Sequence, residues 1–462
     1  MRINDLIQLG KSYLSLGIII ALLIVIIFLF IYKKCTKKKN IDIKRVIWMV
    51  FFFSYMVMIV SVTLLDRGKF FREHNFIPFL YSYKDAWIHA SAQAWRNIIL
   101  NILAFVPFGI LLPAGFRKLD CFWKVYLTGF LFTAFIECTQ FLSECGIFEV
   151  DDLINNTLGT VIGYGIYVLF VHFLSYIRKT QDQKYSWKKT ILLQIPLLAS
   201  ILIFAGIYRT YVTKELGNVS IRNIGVYKEG NIDIKSDLEF EEEKMMWPVY
   251  KCKVYSKEEA IKSAEKIFEN LGVSFDEKEA DFYQDEALFR ADERYHLWFS
   301  CKGGGYSLTD FEAGECEEKE VEEKEIKEAL SAYNIEVPDY MEMEWNEEGD
   351  FSFTSTMKED EKSVTDGFIR GRYCGNGMFC DISYNLVKYD LYKDFQIISP
   401  KEAYDQLCEG RFNWYESGNL YIEMKDYKIK YIQDTKGFYQ PYYSFRCFVN
   451  GEEKEIAIAG IQ

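Results

Sequence analysis

Histidine is scarce in this chain, which has only 4 in 462 residues. None of them stands with cysteine at a spacing typical of a zinc site, so the sequence offers no zinc centre. The glycine-rich phosphate loop, the nucleophile elbow and the dinucleotide-binding fingerprint are also absent. These absences leave the commonest nucleotide-dependent and hydrolytic classes without support.

Cysteines are also too few and too unevenly placed to build the fold, with 4 before residue 209 and 7 after it. An odd number in an exported region leaves at least one thiol unpaired, which excludes a complete disulfide framework. Cys374 and Cys380 could form a bridge, and the sequence leaves that pairing open.

Charge is divided unequally along the chain. Residues 1–208 hold 22 Lys and Arg against 12 Asp and Glu, a net charge of +10. The other 254 residues hold 32 against 54, a net charge of −22. A single folded core would not divide charge in this way, so we predict two regions, 1–208 and 209–462.

The first region contains six long apolar stretches, and no stretch of this kind occurs after residue 208. A helix needs roughly 20 apolar residues to cross a hydrocarbon layer of about 30 Å. The first stretch is too long for the core of a signal peptide. We therefore predict a membrane all-α bundle of about six transmembrane helices, at 14–32, 46–65, 97–116, 125–143, 153–177 and 190–208.

Cations in the short loops predict the orientation of these helices. The loops after the first, third and fifth stretches hold 15 Lys and Arg, and the alternate loops hold 7. Because short loops rich in cations stay in the cytoplasm, both termini are predicted to be extracytoplasmic, in a multi-pass protein of the bacterial cytoplasmic membrane. The same basic segments are explained by topology and anionic lipid, so nucleic acid is not predicted as a partner.

Polar side chains occur near one end of three of the predicted helices, 97–116, 125–143 and 153–177, and in the loop just before the last of them. Such groups are costly in lipid and commonly mark a functional site. With the orientation above, all of them fall at the outer end of the bundle. They are Asn97, Asn101, Glu137, Gln140, Asp151, Asp152, Asn155 and Asn156.

Local explanations compete with a functional one for some of these residues. Asp151 or Asp152 could cap the helix that begins beside them. That explanation does not cover Glu137, for which Arg67, Arg72 and Arg96 are candidate partners. Further along the same helix as the two aspartates, Gly159 and Gly163 form a G-x-x-x-G pair, which lets another helix approach closely.

Four segments together resemble the VanZ-like family of bacterial membrane proteins: NFIPF (75–79), NIILNILAFVPFGILLP (97–113), IECTQ (136–140) and DDLINNTLGTVIGY (151–164). The resemblance covers about residues 46–177. It implies a role in the cell envelope and reduced susceptibility to teicoplanin. A Gly-Arg pair expected before the acidic motif is replaced here by ECGIFEVDD. Carried over residue by residue, the family resemblance implies shared positions at Asn75, Asn101, Pro107, Gly109, Glu137, Gln140, Asp152, Asn156 and Gly159.

The second region is predicted to be an extracytoplasmic α+β domain with antiparallel sheets, in approximate repeated units 209–316 and 317–462. Helices are predicted at 255–272, with a Ser256 to Glu259 capping box, at 318–333, and at 398–410, where Ser399 is the cap. Alternating segments after each helix predict strands. The Ser-x-x-Glu-Ala starts and the Gln-Pro-Tyr-Tyr strand are similar to PepSY-like and YycH/YycI-like modules, a resemblance that implies binding or regulation.

Three functions are consistent with these features. The first is a non-enzymatic envelope protein without a cofactor, in contact with membrane lipid. Its outer polar pocket would bind a lipid-linked wall precursor or a lipoglycopeptide, and its acidic region an envelope protein. The second is an intramembrane enzyme acting on a polyprenyl-phosphate-linked substrate, with Mg²⁺ held at Asp151, Asp152, Asn155 and Asn156 and with Glu137 as general base. The third is a membrane-anchored sensor or binding module.

Overall fold

The fold is given by a computed structural model, which divides the chain into two compact units. Unit one comprises residues 1–87 and 91–213, and unit two comprises residues 88–90 and 214–462. Besides Leu23 and Ile26, the described residues are 43–65, 76–77, 79–143, 148–178, 185–221, 230–313, 321–345, 350–355, 357–360, 362–375, 377–414 and 418–461.

Unit one is helical, with one very short pair of strands. Turns of other helix types occur at Ser61–Leu65 and Arg117–Leu119. The strands are β1 (Phe76–Ile77) and β2 (Phe148–Glu149). The α-helices are α1 (Ile43–Val60), α2 (Tyr81–Ile88), α3 (Ala92–Gly115), α4 (Phe122–Leu142), α5 (Val150–Ile177), α6 (Trp187–Leu192) and α7 (Ile195–Thr213).

Five helical stretches in the described residues are long and apolar enough to cross a membrane. They confirm five of the six predicted stretches, and the sixth, 14–32, lies outside the described residues except for Leu23 and Ile26. The last stretch continues to Thr213, five residues beyond its predicted end. The five are Ile43–Thr63, Ala92–Gly115, Phe122–Leu142, Val150–Ile177 and Trp187–Thr213.

The core of unit one lies where α3, α4 and α5 meet. Phe105 from α3, Ile136 from α4 and Tyr164 from α5 are each at most 1% exposed. At the end of α4 away from Glu137, Asp120 accepts hydrogen bonds from the hydroxyls of Tyr164, at 3.3 Å, and Tyr185. Burial raises the pKa of Tyr185, so this phenol remains a donor. These bonds tie α5 and the segment before α6 to the start of α4.

The described residues of unit two form three α-helices, each followed by antiparallel strands. The helices are α8 (Lys257–Asn270), α9 (Glu323–Ala332) and α10 (Pro400–Cys408). The strands are β3 (Ile232–Lys235), β4 (Met246–Cys252), β5 (Asp281–Phe282), β6 (Glu286–Ala291), β7 (Tyr295–Ser300), β8 (Tyr306–Asp310), β9 (Glu342–Trp345), β10 (Asp350–Thr354), β11 (Lys358–Asp360), β12 (Ser363–Asp366), β13 (Phe368–Gly375), β14 (Met378–Tyr384), β15 (Val387–Gln396), β16 (Leu420–Gln433), β17 (Phe438–Val449) and β18 (Glu452–Ala459).

These strands form two sheets. The first has the order β5-β6-β7-β8-β14-β13-β10-β9, so β8 and β14 join strands from both sides of the predicted unit boundary at residue 316. The second has the order β11-β12-β15-β4-β17-β16-β3, with β18 paired to β17. Among the strands given above for unit two, pairing is antiparallel except between β3 and β16. The α+β prediction with antiparallel sheets is therefore confirmed, with one parallel pair added.

Local signals placed the helices of unit two correctly. Both predicted capping boxes are present, from Ser256 to Glu259 and from Ser399 to Glu402. Gly272 and Gly410 follow the first and third helices with φ of +71° and +72°, a conformation that glycine adopts without strain. The predicted helix at 318–333 is observed at Glu323–Ala332.

The cysteine pairing that the sequence left open is formed in the structure, where Cys374 and Cys380 are bridged between β13 and β14. Cys252 and Cys447 are free and buried, whereas Cys408 is free and exposed. The bridge therefore closes one hairpin, and the hydrophobic cores on either side of the sheets maintain the fold.

Candidate functional site

The end of unit one that is predicted to face outwards is organised by the pairing of β1 with β2. The two strands are parallel, and Phe76 lies opposite Phe148 while Ile77 lies opposite Glu149. This pairing brings the segment after residue 75 beside the first turn of α5. Two of the sequence motifs, 75–79 and 151–164, thus become neighbours. Asn75 itself lies outside the described residues.

Asp151 caps a helix, but not its own. Its side chain is fully buried, and its two carboxylate oxygens accept the amides of Leu80, at 2.6 Å, and Ser82, at 2.9 Å. Those amides belong to the start of α2. The N-cap residue of α5, Glu149, makes no capping hydrogen bond through its side chain. Of the two aspartates that could cap the helix beside them, Asp151 therefore satisfies free amides of another helix, about 70 positions earlier.

Asn155 lies one turn further along α5 and is 1% exposed. Its side-chain oxygen accepts a hydrogen bond from the hydroxyl of Tyr83 in α2. Burial, with the nearby carboxylates of Asp151 and Asp152, raises the pKa of Tyr83 to about 12, so the phenol is protonated at neutral pH. The side-chain nitrogen of Asn155 is also buried and has no hydrogen-bond partner in the described part of the chain.

Asp152 lies on the side of α5 that faces α3. Its Oδ1 accepts a hydrogen bond of 2.5 Å from the side-chain nitrogen of Asn101. Asn97, one turn earlier on α3, is exposed, whereas Asn101 is partly buried. The two asparagines predicted to share a face therefore have different environments, and only Asn101 contacts the aspartate.

Glu137 and Gln140 bind the C-terminal end of α4 to two other segments. Glu137 is 2% exposed, and its Oε2 accepts the backbone amide of Glu149 in β2 over 3.3 Å. Gln140 is 3% exposed and donates to the carbonyl oxygen of Thr63 over 2.8 Å. Both side chains bind backbone from other segments, which satisfies part of their hydrogen-bonding capacity.

Arg96 is not the partner of Glu137. Its Nε atom is buried, and this atom makes no hydrogen bond to any described residue. Arg67 and Arg72, the other candidate partners, lie outside the described residues. Two buried donors of this kind are thus present. The first is the side-chain nitrogen of Asn155 in α5, and the second is Nε of Arg96 in the first turns of α3.

Asn156 and two glycines face other helices. Asn156 donates to Thr133 Oγ1 of α4 over 2.9 Å. A Cβ atom at Gly159 would lie 2.0 Å from the carbonyl oxygen of Ile102, and one at Gly163 would lie 2.1 Å from that of Val106. The backbones of α3 and α5 can approach this closely only without side chains at these positions.

We call eight of these residues the outer polar cluster. Within it, α2, α3, α4 and α5 are joined by hydrogen bonds between side chains or from side chain to backbone. Six of the eight are among the candidates predicted from spans four and five, Asn101 comes from span three, and Tyr83 was not predicted. The members are Tyr83, Asn101, Glu137, Gln140, Asp151, Asp152, Asn155 and Asn156.

Tyr83 was missed because no sequence signal marks it. It is an ordinary tyrosine in a short helix of low hydrophobicity, and only the tertiary structure places its hydroxyl on Asn155. The acceptor hydroxyl of Thr133 was missed for the same reason. Threonine in an apolar helix commonly bonds its own backbone, so its presence alone predicts no tertiary contact.

The two aspartates do not act as a pair. Asp151 binds backbone amides through both oxygens, and Asp152 binds Asn101. No group of three or more His, Cys, Asp or Glu side chains that could hold a metal ion occurs among the residues searched, which are those the structure describes.

The apolar helices and their cluster of buried polar groups define an integral membrane protein. The sequence profile of the VanZ/LLP1 family matches residues 18–171, a range that includes the whole outer polar cluster. Protein VanZ of Enterococcus faecium is 30% identical over 161 residues, which are 34% of this chain and 92% of that protein. The chain therefore belongs to the VanZ/LLP1 family through its first unit.

Two solved structures are similar to a larger part of the chain at low identity. The C-terminal domain of Bacillus megaterium YpeB is 10% identical. The match covers 46% of this chain and 95% of that domain, with a TM-score of 0.22. An uncharacterized protein from Eubacterium rectale is 11% identical and covers 51% of this chain and 90% of its own length, also with a TM-score of 0.22. Scores this low do not assign a fold or a function to unit two.

Proposed function

We propose that this protein is a non-enzymatic component of the bacterial cell envelope, located in the cytoplasmic membrane with both termini outside. Its outer polar cluster binds the polar end of an amphiphile, either a lipid-linked wall precursor or a lipoglycopeptide. Through that binding it lowers susceptibility to teicoplanin-type antibiotics. Its acidic second unit contacts an envelope protein.

The observation that carries the binding part is the buried side-chain nitrogen of Asn155. A buried N–H group without an acceptor costs about 1–3 kcal/mol, and such groups are rare in folded proteins. A ligand oxygen in hydrogen-bonding contact with this nitrogen would remove the cost. Arg96 Nε has the same need for an acceptor.

The charges of the cluster narrow the kind of headgroup. Glu137, Asp151 and Asp152 are acidic, and Asp151 is already satisfied by two amides. A compact anion would be repelled by the carboxylates, whereas a headgroup with both hydroxyl or amide donors and oxygen acceptors can bond to either kind of group. Sugar and peptide headgroups have this mixed character, which supports a wall precursor or a glycopeptide as the ligand.

The antibiotic part rests on membership of the VanZ/LLP1 family and is tested in cells. The comparison is between an empty vector, the wild type and the double variant Glu137→Gln with Asp152→Asn, each expressed at the same membrane level. We expect the wild type to raise the inhibitory concentration of teicoplanin, with a smaller effect on vancomycin. The double variant should lose this protection.

The matched control is Asn97→Ala. Asn97 lies one turn from Asn101 but is exposed, so its replacement should leave protection intact. Equal susceptibility of the wild type and the empty vector would remove the antibiotic part of the proposal. Full protection by the double variant would show that the cluster is not the binding site.

A further inference from the structure

Unit two contains a long open groove that lies apart from the outer polar cluster. Its volume is about 1040 Å³, and it runs between α8 and α9. Both helices lie on the same face of the first sheet. Leu308 packs in the core beneath α8, Ile382 packs in the core beneath α9, and these two residues are direct neighbours across the β8–β14 pair. We call this space the inter-helix groove.

The floor of the groove is aromatic at the junction of the two halves. Tyr306 of β8 and Tyr384 of β14 are paired across the strands, and their rings stack with centroids 5.4 Å apart. Phe299 and Tyr255 extend this surface. Burial raises the pKa of both Tyr306 and Tyr384, so each hydroxyl is protonated at neutral pH and can donate.

The walls of the groove are mostly polar, with a smaller apolar share from Ile267 of α8 and from the segment after α9. On α8 the lining residues Ser263, Lys266 and Asn270 stand at offsets of three and seven, which places them on one helical stripe. Opposite them, Lys327 and Ser331 stand one turn apart on α9. Each helix thus buries its apolar face on the sheet and turns a polar face to the groove.

This combination disfavours two common kinds of ligand. An extended peptide binds by adding to a free strand edge, but β8 and β14 are paired with each other and with β7 and β13 along the groove floor. A helical peptide or a lipid chain favours a mainly apolar groove, whereas Ser, Lys and Asn line much of these walls. Aromatic faces flanked by hydroxyl, amide and ammonium groups suit a ligand with apolar C–H faces and many hydroxyls.

We infer that the inter-helix groove binds a glycan chain. The C–H faces of the sugar rings would lie against the floor tyrosines, and sugar hydroxyls would bond to the Ser, Asn and Lys side chains of the walls. The volume is at the upper end of the range for small-ligand sites, roughly 300–1,000 Å³, and the groove is open, so several linked sugars fit better than one. This site is independent of the proposed function of unit one.

The test uses the full chain in lipid nanodiscs, which avoid detergents with sugar headgroups. The protein is titrated with fluorescently labelled oligosaccharides of two, four and six units, in one series made of glucose and in another made of N-acetylglucosamine. Labelled decapeptides of mixed sequence are titrated for comparison. We expect saturable binding of at least one oligosaccharide series, with affinity rising from two to four units. The inference is overturned if only the peptides bind, or if no oligosaccharide binds at concentrations up to about 10 mM.

Two variants at exposed positions keep the test independent of folding. Ser331→Trp fills the groove and should weaken oligosaccharide binding at least tenfold. Glu328→Trp adds the same bulk at an exposed position of α9 that does not line the groove, and should bind like the wild type. Equal thermal unfolding of both variants verifies the fold. Unchanged binding by Ser331→Trp would place the glycan elsewhere and overturn the assignment.

Discussion

Asn101 donates a hydrogen bond of 2.5 Å to Asp152 and so joins two helices that are separate motifs in the sequence. The contact lies one residue from Ile102, whose carbonyl oxygen packs against Gly159 where α3 and α5 approach closely. A polar contact between membrane helices fixes their register as well as adding stability, because both partners lose water on insertion.

Replacing Asn101 with Leu should therefore destabilise unit one by about 1 kcal/mol, the usual size of such a contact between membrane helices. Asn97→Leu is the control, since Asn97 is exposed one turn away. Thermal unfolding in nanodiscs measures both. A double-mutant cycle with Asp152→Ala should return a coupling of similar size, and zero coupling would mean that the two side chains do not interact.

Gly159 should not tolerate a side chain, because it lies against the backbone of α3. Alanine there would put a methyl group 2.0 Å from the carbonyl oxygen of Ile102, so α3 and α5 must separate. We expect Gly159→Ala to lose about 1–3 kcal/mol of stability, as overpacked cores do. Gly206→Ala is the matched control, because a Cβ atom there meets nothing within 4 Å. The control should be neutral or slightly stabilising, and equal loss in both variants would contradict this account.

The ion pair of Arg294 with Asp310 should give unit two an acid-sensitive step. Asp310 is 8% exposed, and Arg294 reaches both of its oxygens at 2.7 Å. Burial alone would raise the pKa of Asp310, but the hydrogen bonds from Arg294 and the amide of Glu312 outweigh it, so the pKa is lowered from 3.8.

A lowered pKa means that the folded state binds the proton less readily than the unfolded state. The stabilisation is thus complete above the ordinary pKa of 3.8 and is lost as the pH falls below it. We expect Asp310→Asn to lose about 2 kcal/mol at pH 7 and progressively less towards pH 3, measured as the urea midpoint of unit two. Glu286→Gln, at an exposed position on β6, is the control and should show no such pH-dependent difference.

Two exposed cysteines allow the predicted orientation to be tested. Cys408 is on α10 in unit two, and Cys121 is at the start of α4, in a loop predicted to be cytoplasmic. In variants that keep only one of these thiols, a membrane-impermeant maleimide should label Cys408 in intact cells. Cys121 should be labelled only after permeabilisation. The reverse pattern would invert the topology and place the outer polar cluster on the cytoplasmic side.

Much of the architecture could be predicted because it depends on neighbouring residues. Apolar runs such as 97–116 are set by the length of a helix that crosses lipid, and the structure has α3 at Ala92–Gly115. Ser256 and Glu259 bond to each other's backbone within one turn, so their capping box is visible in four consecutive residues. Neither signal needs knowledge of distant contacts.

The candidate site was predicted as a list of residues but not as a set of contacts. Asn97 and Asn101 have the same residue type and an ideal helical spacing, yet only Asn101 contacts the aspartate. Asp151 or Asp152 could have capped the helix beside them, and Asp151 instead caps α2. Each outcome depends on which segment lies opposite, and residue spacing along one helix carries no information about that.

The sequence by itself determined the division into an apolar, basic half and an acidic half, the helices of both, and the motifs that place the chain in its family. These features follow from local physics: hydrophobic length, helix capping and charge. Only the tertiary structure decided that Tyr83 bonds to Asn155, that a second buried donor lies at Arg96, and that two polar helix faces border an aromatic groove. Such contacts join positions far apart in the chain, and their partners are chosen by packing rather than by sequence neighbours.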